Sequence, residues 1–420
     1  MKNLVLYHLS QALLALLAIC FLLQIFSPLR LNTDAITLLS MADSASHGAG
    51  FLEDGKKTVF PPGYPALMAV LLRLGLAHSW VIIALNLVLL AVALYATYDV
   101  LREFAFGKTA ALAVVLLSLL SFVIVKHCTI PLTDIPFFCF SMCCLAAMSR
   151  ASRLGLNGKF FLLAAAAWAL AIVAIMVRRI GIALLPALVF LVANNPGVRG
   201  FIRELSHRAR TIIALIVLVI AMPTAVVIAR TSTLSDFARS TSGAGIAAVL
   251  ERTISYRLIE FGELFINFPI TGKTFPGLHI FVSLIGSALL LLVLGGLVTR
   301  RQKFGPPEVY LISYMAIMFV WPFCDTRFWL PVIPLLIVYS ALALRKIKMP
   351  KAIVVVYCSG FALLGLAAIA YSTRISFAGP KFPDRYASGN LRPTYCVALH
   401  ACTDVRKPDP KALLLIQEFN

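Results

Sequence analysis

An all-α protein threaded repeatedly through a membrane is the fold this sequence predicts, and three observations predict it. Sixty per cent of the residues are hydrophobic and only 13% are charged, giving a mean hydropathy of +0.92, far outside the composition of a soluble globular domain. Apolar stretches close to the roughly 20 residues that cross a bilayer as a helix recur along the chain. Lys and Arg collect in the short connections on one side of those stretches.

The apolar stretches are eleven, within a range of ten to thirteen: 4–26, 80–100, 109–125, 135–148, 160–177, 180–193, 211–229, 278–298, 309–323, 328–344 and 352–372. The first follows Lys2 and has no small-residue cleavage site behind it, so it is expected to stay as a signal anchor. Residues 65–76 are apolar but too short to cross, and Arg73 interrupts them. They are expected to form a juxtamembrane helix in a first outer loop, 27–79. A long outer loop is expected over 230–277. Residues 1–372 form the membrane domain on this reading, and 373–420 form a short exoplasmic tail.

Orientation follows from the cations. With the N-terminus inside, the cytoplasmic connections hold only four acids, Asp99, Glu103, Glu204 and Glu308, against many Lys and Arg. The other fourteen of the eighteen acids lie outside, so chemistry is expected on the outer face of an inner (plasma) membrane, toward the periplasm or exterior. The net charge of +19 is spread over many loops as topology signals and contacts to anionic lipids. It has neither the continuity nor the aromatic interleaving of a nucleic-acid surface.

Nine cysteines are present, and most lie in apolar stretches as small hydrophobic residues. Cys396 and Cys402 both fall in the tail, where an oxidising compartment would allow a local disulfide. Scattered His residues and the Cys143-Cys144 pair give no structural zinc site.

Four polar corners stand out because each interrupts apolar sequence in a very tight turn: Asp34, Thr133-Asp134-Ile135-Pro136, Arg178-Arg179-Ile180-Gly181 and Asp325-Thr326-Arg327. Gly, Ser or Asn would suffice to reach water there. Carboxylates and guanidiniums at a membrane surface are costly unless paired or used. Together they could bind a phosphate and deprotonate a hydroxyl. Structural alternatives remain open at this stage. Asp34 could cap a helix beginning at Ala35 and Asp134 one beginning at Ile135. Arg178 and Arg179 could anchor a hairpin at the head groups, and Arg327 could pair with Asp325.

In their order, these features resemble the GT-C superfamily of integral-membrane glycosyltransferases, in particular members related to protein O-mannosyltransferases and lipid A aminoarabinose transferases. Asp34 closing the first span, Pro61-Pro62-Gly63-Tyr64-Pro65 opening the next helix, the Asp134 corner, Arg178-Arg179-Ile180-Gly181 and Thr326-Arg327-Phe328-Trp329-Leu330-Pro331-Val332-Ile333-Pro334 carry the resemblance, which covers residues 4–344. Many relatives have a basic residue just before the Pro-Pro pair, where this chain has Phe60. A donor-phosphate contact from this loop would then fall to Lys56 or Lys57. Some relatives also have a second acid beside the first-loop aspartate, where this chain has Ala35.

The resemblance implies transfer of a sugar from a polyprenyl-phosphate donor to a hydroxyl of a lipid, glycan or protein acceptor on the exoplasmic side, with inversion. Asp34 would be the general base, and Asp134 would orient the acceptor, ligate a metal or hold an arginine. Arg327 and Arg178, with Arg179, Lys56 and Lys57 behind them, would meet the donor phosphate. Tyr64, Glu260 and Glu263 are candidates for substrate-loop contacts, the two glutamates lying three residues apart on one helical face. The cofactor is open, a divalent cation included. A secondary transporter or lipid flippase is the alternative from another class. It fits less well, because the middles of the spans are nearly free of charge where a transporter would place ionisable groups.

Overall fold

The structure, a computed structural model, describes residues 2–102, 107–204, 246–270, 276–387, 389–402, 404 and 406–419. The helices are α1 (Lys2–Leu22), α2 (Thr33–Ser46), α3 (Gly63–Arg73), α4 (Ser79–Arg102), α5 (Lys108–Leu119), α6 (Phe122–His127), α7 (Asp134–Ala151), α8 (Gly158–Val177) and α9 (Leu184–Asn194). There follow α10 (Pro196–Glu204), α11 (Ile246–Ile266), α12 (Pro276–Thr299), α13 (Pro306–Val320), α14 (Ile333–Lys346), α15 (Lys351–Ser376), α16 (Phe382–Tyr386), α17 (Leu391–Ala398) and α18 (Pro410–Phe419). A two-stranded hairpin, Leu52–Glu53 with Lys56–Lys57, is the sheet among the described residues.

Six of these described helices are long and apolar enough to cross a membrane, and five shorter apolar helices accompany them. This is an all-α, multi-pass integral membrane protein. Ten of the eleven expected stretches fall on helices, and 211–229 lies outside the described residues. The stretch 109–125 is broken between α5 and α6, and a buried asparagine accounts for the break. Asn267 Oδ1 accepts the Phe122 N–H at 2.8 Å, while its amide donates to the carbonyls of Leu120 (3.0 Å) and Phe361 (2.9 Å). Two backbone groups freed at the break are thus satisfied inside the bundle, as the absence of water at that depth demands.

The segment 230–277, expected as a long outer loop, contains the 21-residue helix α11, packed along α12. Its charges, Glu251, Arg252, Arg257, Glu260 and Glu263, hid it from a hydropathy reading. Those that enter the bundle are buried and paired.

The first outer loop carries the expected helices. Asn32 caps α2 by accepting the Ala35 N–H at 2.8 Å, and α3 stops at Leu74, where Gly75 takes a φ of +67°. Helices α2 and α3 pack on each other and share one core with the tail, through Leu31, Leu39, Tyr64, Met68, Phe382, Tyr395, Ile416 and Phe419. Each fully buried side chain of this kind contributes about 1.5–3 kcal/mol, so α16, α17 and α18 are bound onto α2 and α3 as a cap. Tyr395 stitches the two together, donating to Leu29 O at 2.7 Å and accepting the Leu31 N–H at 2.8 Å. Cys396 and Cys402 are joined in a disulfide.

Candidate active site

Asp34 lies in the first turn of α2, one residue inside its N-terminus. Because Asn32 holds the capping position, the Asp34 carboxylate is available elsewhere, and it accepts Arg327 Nη2. Arg327 belongs to the 3-10 turn Thr326–Val332 that leads into α14. Asp325 caps this turn by accepting the Arg327 N–H at 3.0 Å, and its other oxygen lies 3.0 Å from Arg327 Nε. The Asp34 side chain is 31% exposed and that of Arg327 11%, so the carboxylate is the half of the pair that a solute can reach.

A second pair forms beside it. Asp134 begins α7 and is buried, and its carboxylate accepts Arg178 Nη1 at the end of α8. Thr133 occupies the N-cap position of α7, without a side-chain capping bond. The Pro61-Pro62-Gly63 element is packed against the backbone just ahead of Arg178. A Cβ on Gly63 would sit 2.6 Å from the Met176 carbonyl oxygen, so only glycine permits this approach. At Gly181, past the arginines, a Cβ would meet the Ile175 nitrogen at 2.7 Å. These two glycines fix how the Arg178 corner meets the first outer loop.

Phe328 joins the two pairs. The Arg178 Cζ lies 4.8 Å and the Arg327 Cζ 5.3 Å from its ring centroid, both within cation–π range. The turn carrying Phe328 is tied down on three sides. Thr326 donates its hydroxyl to Glu263, Trp329 Nε1 donates to Glu260 Oε2 at 2.6 Å, and Tyr314 donates to the Phe328 carbonyl. Glu260 also pairs with Arg257 at 2.6 Å, and Arg257 donates to the carbonyls of Met318, Trp321 and Phe323. Glu263 in addition accepts the Ile270 N–H at 2.6 Å.

The structure therefore brings Asp34, Asp134, Arg178, Arg327 and Phe328 into one cluster. Glu260 and Glu263 are found as buried tethers beneath the Arg327 turn. Arg179 is half-buried beside Arg178 and begins the next turn. Lys56 and Lys57 are exposed on the hairpin, with Lys56 opposite Glu53 and Lys57 opposite Leu52. Tyr64 is fully buried in the outer core, and its hydroxyl finds no hydrogen-bond partner among the described residues.

Two members of the neighbourhood were not singled out from sequence. Phe328 reads there as one apolar residue among several. His127, buried, holds Nδ1 2.7 Å from the Val123 carbonyl and feels the charges of Asp134, Asp325 and Arg327. Its Lys126-His127 setting at the close of an apolar stretch is the one signal it offered. Among the described residues, no three His, Cys, Asp or Glu side chains converge as a metal site.

Comparison with known proteins relates part of this chain to a family and its fold to a solved structure. Residues 57–226 match the family described as dolichyl-phosphate-mannose-protein mannosyltransferase, a stretch that includes the Pro-Pro-Gly-Tyr element, Asp134 and Arg178. The fold is similar to that of ArnT from Cupriavidus metallidurans in the apo state, with 15% identity, a TM-score of 0.52, and coverage of 100% of this chain and 85% of that one. Part of the chain is thus similar to a glycosyltransferase family, and the likeness to ArnT is one of fold. ArnT bound to undecaprenyl phosphate aligns at a TM-score of 0.48 and 17% identity, over 92% of this chain and 68% of that one. No curated protein matches the sequence. The cluster lies where the start of α2, the start of α7, the end of α8 and the turn before α14 meet.

Proposed function

We propose that this chain is a GT-C glycosyltransferase that moves a sugar from a polyprenyl-phosphate donor to an acceptor hydroxyl of a lipid, glycan or protein, on the membrane face that carries the tail. The observation that carries the reading is the pair of Asp–Arg contacts gathered on Phe328. The matched family's description names a dolichyl-phosphate sugar, which is a polyprenyl-phosphate donor.

In the proposed step the bond between the sugar's anomeric carbon and the phosphate oxygen breaks while the acceptor oxygen forms its bond to that carbon. The acceptor proton passes to Asp34, the accessible carboxylate. A single displacement of this kind inverts the anomeric centre. The leaving polyprenyl phosphate gains charge as the bond breaks, and Arg327 and Arg178 are the fixed cations that meet it. Arg327 is engaged with Asp34 before the donor arrives. A phosphate competing for that guanidinium draws it off the carboxylate and leaves Asp34 open to a hydroxyl. Asp134, too buried to reach the acceptor, serves as the support of Arg178. Arg179 flanks the phosphate, and Tyr64, fully buried in the outer core, supports the loop rather than meeting the acceptor. Lys56 and Lys57, exposed on the hairpin, meet the donor only at its approach.

The sidedness has its own support. The disulfide Cys396–Cys402 belongs to the tail that packs on α2, and disulfides persist in oxidising compartments. Together with the Lys and Arg distribution, this supports a site outside the cytoplasm, at the periplasm or exterior of a plasma membrane.

The test is transfer of labelled sugar from a panel of polyprenyl-phosphate sugars by purified protein in liposomes. Transfer by the wild type that is lost in Asp34→Asn, with unchanged thermal unfolding, supports the reading. Movement of labelled solute or lipid across the liposome without donor consumption overturns it in favour of a transporter or flippase.

A further inference from the structure

A groove of about 870 Å³ opens on the bundle well away from the Asp–Arg cluster, walled by α5, α14 and α15 and closed by the end of α11. None of the five clustered residues lines it. Its walls are apolar, with Leu117, Leu336, Val354 and Phe361 among them. Its charged lining consists of Arg345, Lys348 and Lys351, with no acid. All three cations are exposed and sit together where α14 ends and α15 begins. None of them makes an ion pair among the described residues. Arg327 and Arg345 lie near opposite ends of one apolar stretch, Thr326–Lys346, so the mouth of the groove faces the leaflet opposite the Asp–Arg cluster.

Two further observations say what the groove is shaped for. Lys348 has a φ of +54°, at a helix end where glycine is the usual left-handed residue. The chain holds a lysine there in spite of the backbone preference, directly at the mouth. The depth is that of one leaflet. On α15 the lining runs from Lys351 to Phe361, which at 1.5 Å per residue is about 15 Å, half of a hydrocarbon core of about 30 Å. At that depth the Asn267 clamp ties the α5–α6 break to Phe361, and Tyr357 donates to the Phe265 carbonyl at 2.8 Å, so the inner end is bounded by fixed backbone.

We infer that this groove binds one anionic diacyl phospholipid of the leaflet opposite the Asp–Arg cluster. Its phosphate sits among Arg345, Lys348 and Lys351, and its acyl chains lie between α5, α14 and α15. A positive rim over a leaflet-deep apolar slot is complementary to an anionic head group on chains of that length. A polyprenyl chain outruns a slot closed at mid-membrane.

The test uses the full chain purified in mild detergent. Native mass spectrometry reads lipid retained by the wild type and by the triple variant Arg345→Gln, Lys348→Gln, Lys351→Gln. A photoactivatable phosphatidylglycerol is added in parallel and its crosslinks are mapped. Expected are one retained anionic phospholipid per chain, exchange with added phosphatidylglycerol but not phosphatidylcholine, at least a tenfold loss of retention in the triple variant, and crosslinks on α5 and α15. Ala341→Trp, which fills the slot from α14 without touching the cations, also abolishes retention, so the inference stays testable if the triple variant folds poorly. Absence of lipid and photolabel in the wild type, as when another segment of the chain fills the groove, overturns the inference. Displacement by undecaprenyl phosphate rather than phosphatidylglycerol also overturns it.

Discussion

The guanidinium of Arg178 stacks 4.8 Å from the ring of Phe328, the residue that follows Arg327 in the chain. Two arginines from distant corners are thereby set by a single aromatic side chain, each with its own aspartate. The predictions that follow separate what each member of this cluster does.

Asp34→Asn removes the accessible carboxylate while keeping its shape. Transfer is expected to fall by about 10²–10⁴, the usual worth of a general base. Donor binding should be retained, since Arg327 is relieved of a competing carboxylate. Single-turnover transfer alongside donor titration checks this, and unchanged turnover would remove Asp34 from the chemistry.

Asp134 is buried and Arg178 half-buried, with side-chain exposures of 2% and 16%. Either Asp134→Asn or Arg178→Gln alone leaves a buried charge unpaired and is expected to cost about 3–5 kcal/mol of stability. The double variant should recover much of that stability and none of the activity. Thermal unfolding in detergent beside the transfer assay tests the distinction. A double variant as unstable as the sum of the singles would argue that the pair is not coupled.

Phe328→Leu keeps an apolar side chain and loses the π face. The expected outcome is weaker donor binding and slower transfer at near-native stability, with Phe328→Tyr close to wild type. If Leu and Phe perform equally, the ring is only filler.

Gly63→Ala puts a methyl group 2.6 Å from the Met176 carbonyl oxygen. The backbone ahead of Arg178 must shift, at a cost of about 1–3 kcal/mol, and transfer should fall more than stability suggests. Gly55→Ala, in the exposed hairpin with a φ of +73° and open space around it, is the control for general loop strain and should leave transfer nearly intact.

The tail has a pH limit of its own. Arg406 beside Asp404, helped by Arg392, holds that carboxyl well below the ordinary value of 3.8. Because the folded-state value is depressed, the bracket contributes stability above about pH 4, and that stability is lost as the pH falls from there through the depressed value. Amide exchange in α17 should accelerate on acidification in the wild type. In Asp404→Asn it should be already fast and insensitive to pH.

Much of this was legible in sequence because a membrane imposes simple rules. Apolar length marked the spans, and charged residues in tight corners marked Asp34, Asp134, Arg178 and Arg327. What was not legible depends on who meets whom across the bundle. Asn32 took the cap that Asp34 might have filled, which only the helix start reveals. Glu260 and Glu263 share a face as expected, yet that face looks into the bundle at Trp329 and Thr326. Helix α11 was concealed by its charges, of which Arg257 pairs with Glu260 on the same helix and donates to carbonyls up to 66 residues away. Phe328 carries no polar signal, and its importance lies entirely in its two neighbours.

The stitching of Tyr395 to Leu29 and Leu31 spans 366 and 364 residues of chain. The helix bearing Asp34 is thus made early in synthesis and can pack on α3 at once, but its contacts with α16–α18 wait until the rest of the chain has been made. Until then the outer core of α2 and α3 is open, and a half-made chain can hold its membrane helices without a finished site. Completion of the face that carries Asp34 is on this account a late event of biogenesis, timed by synthesis of α16–α18.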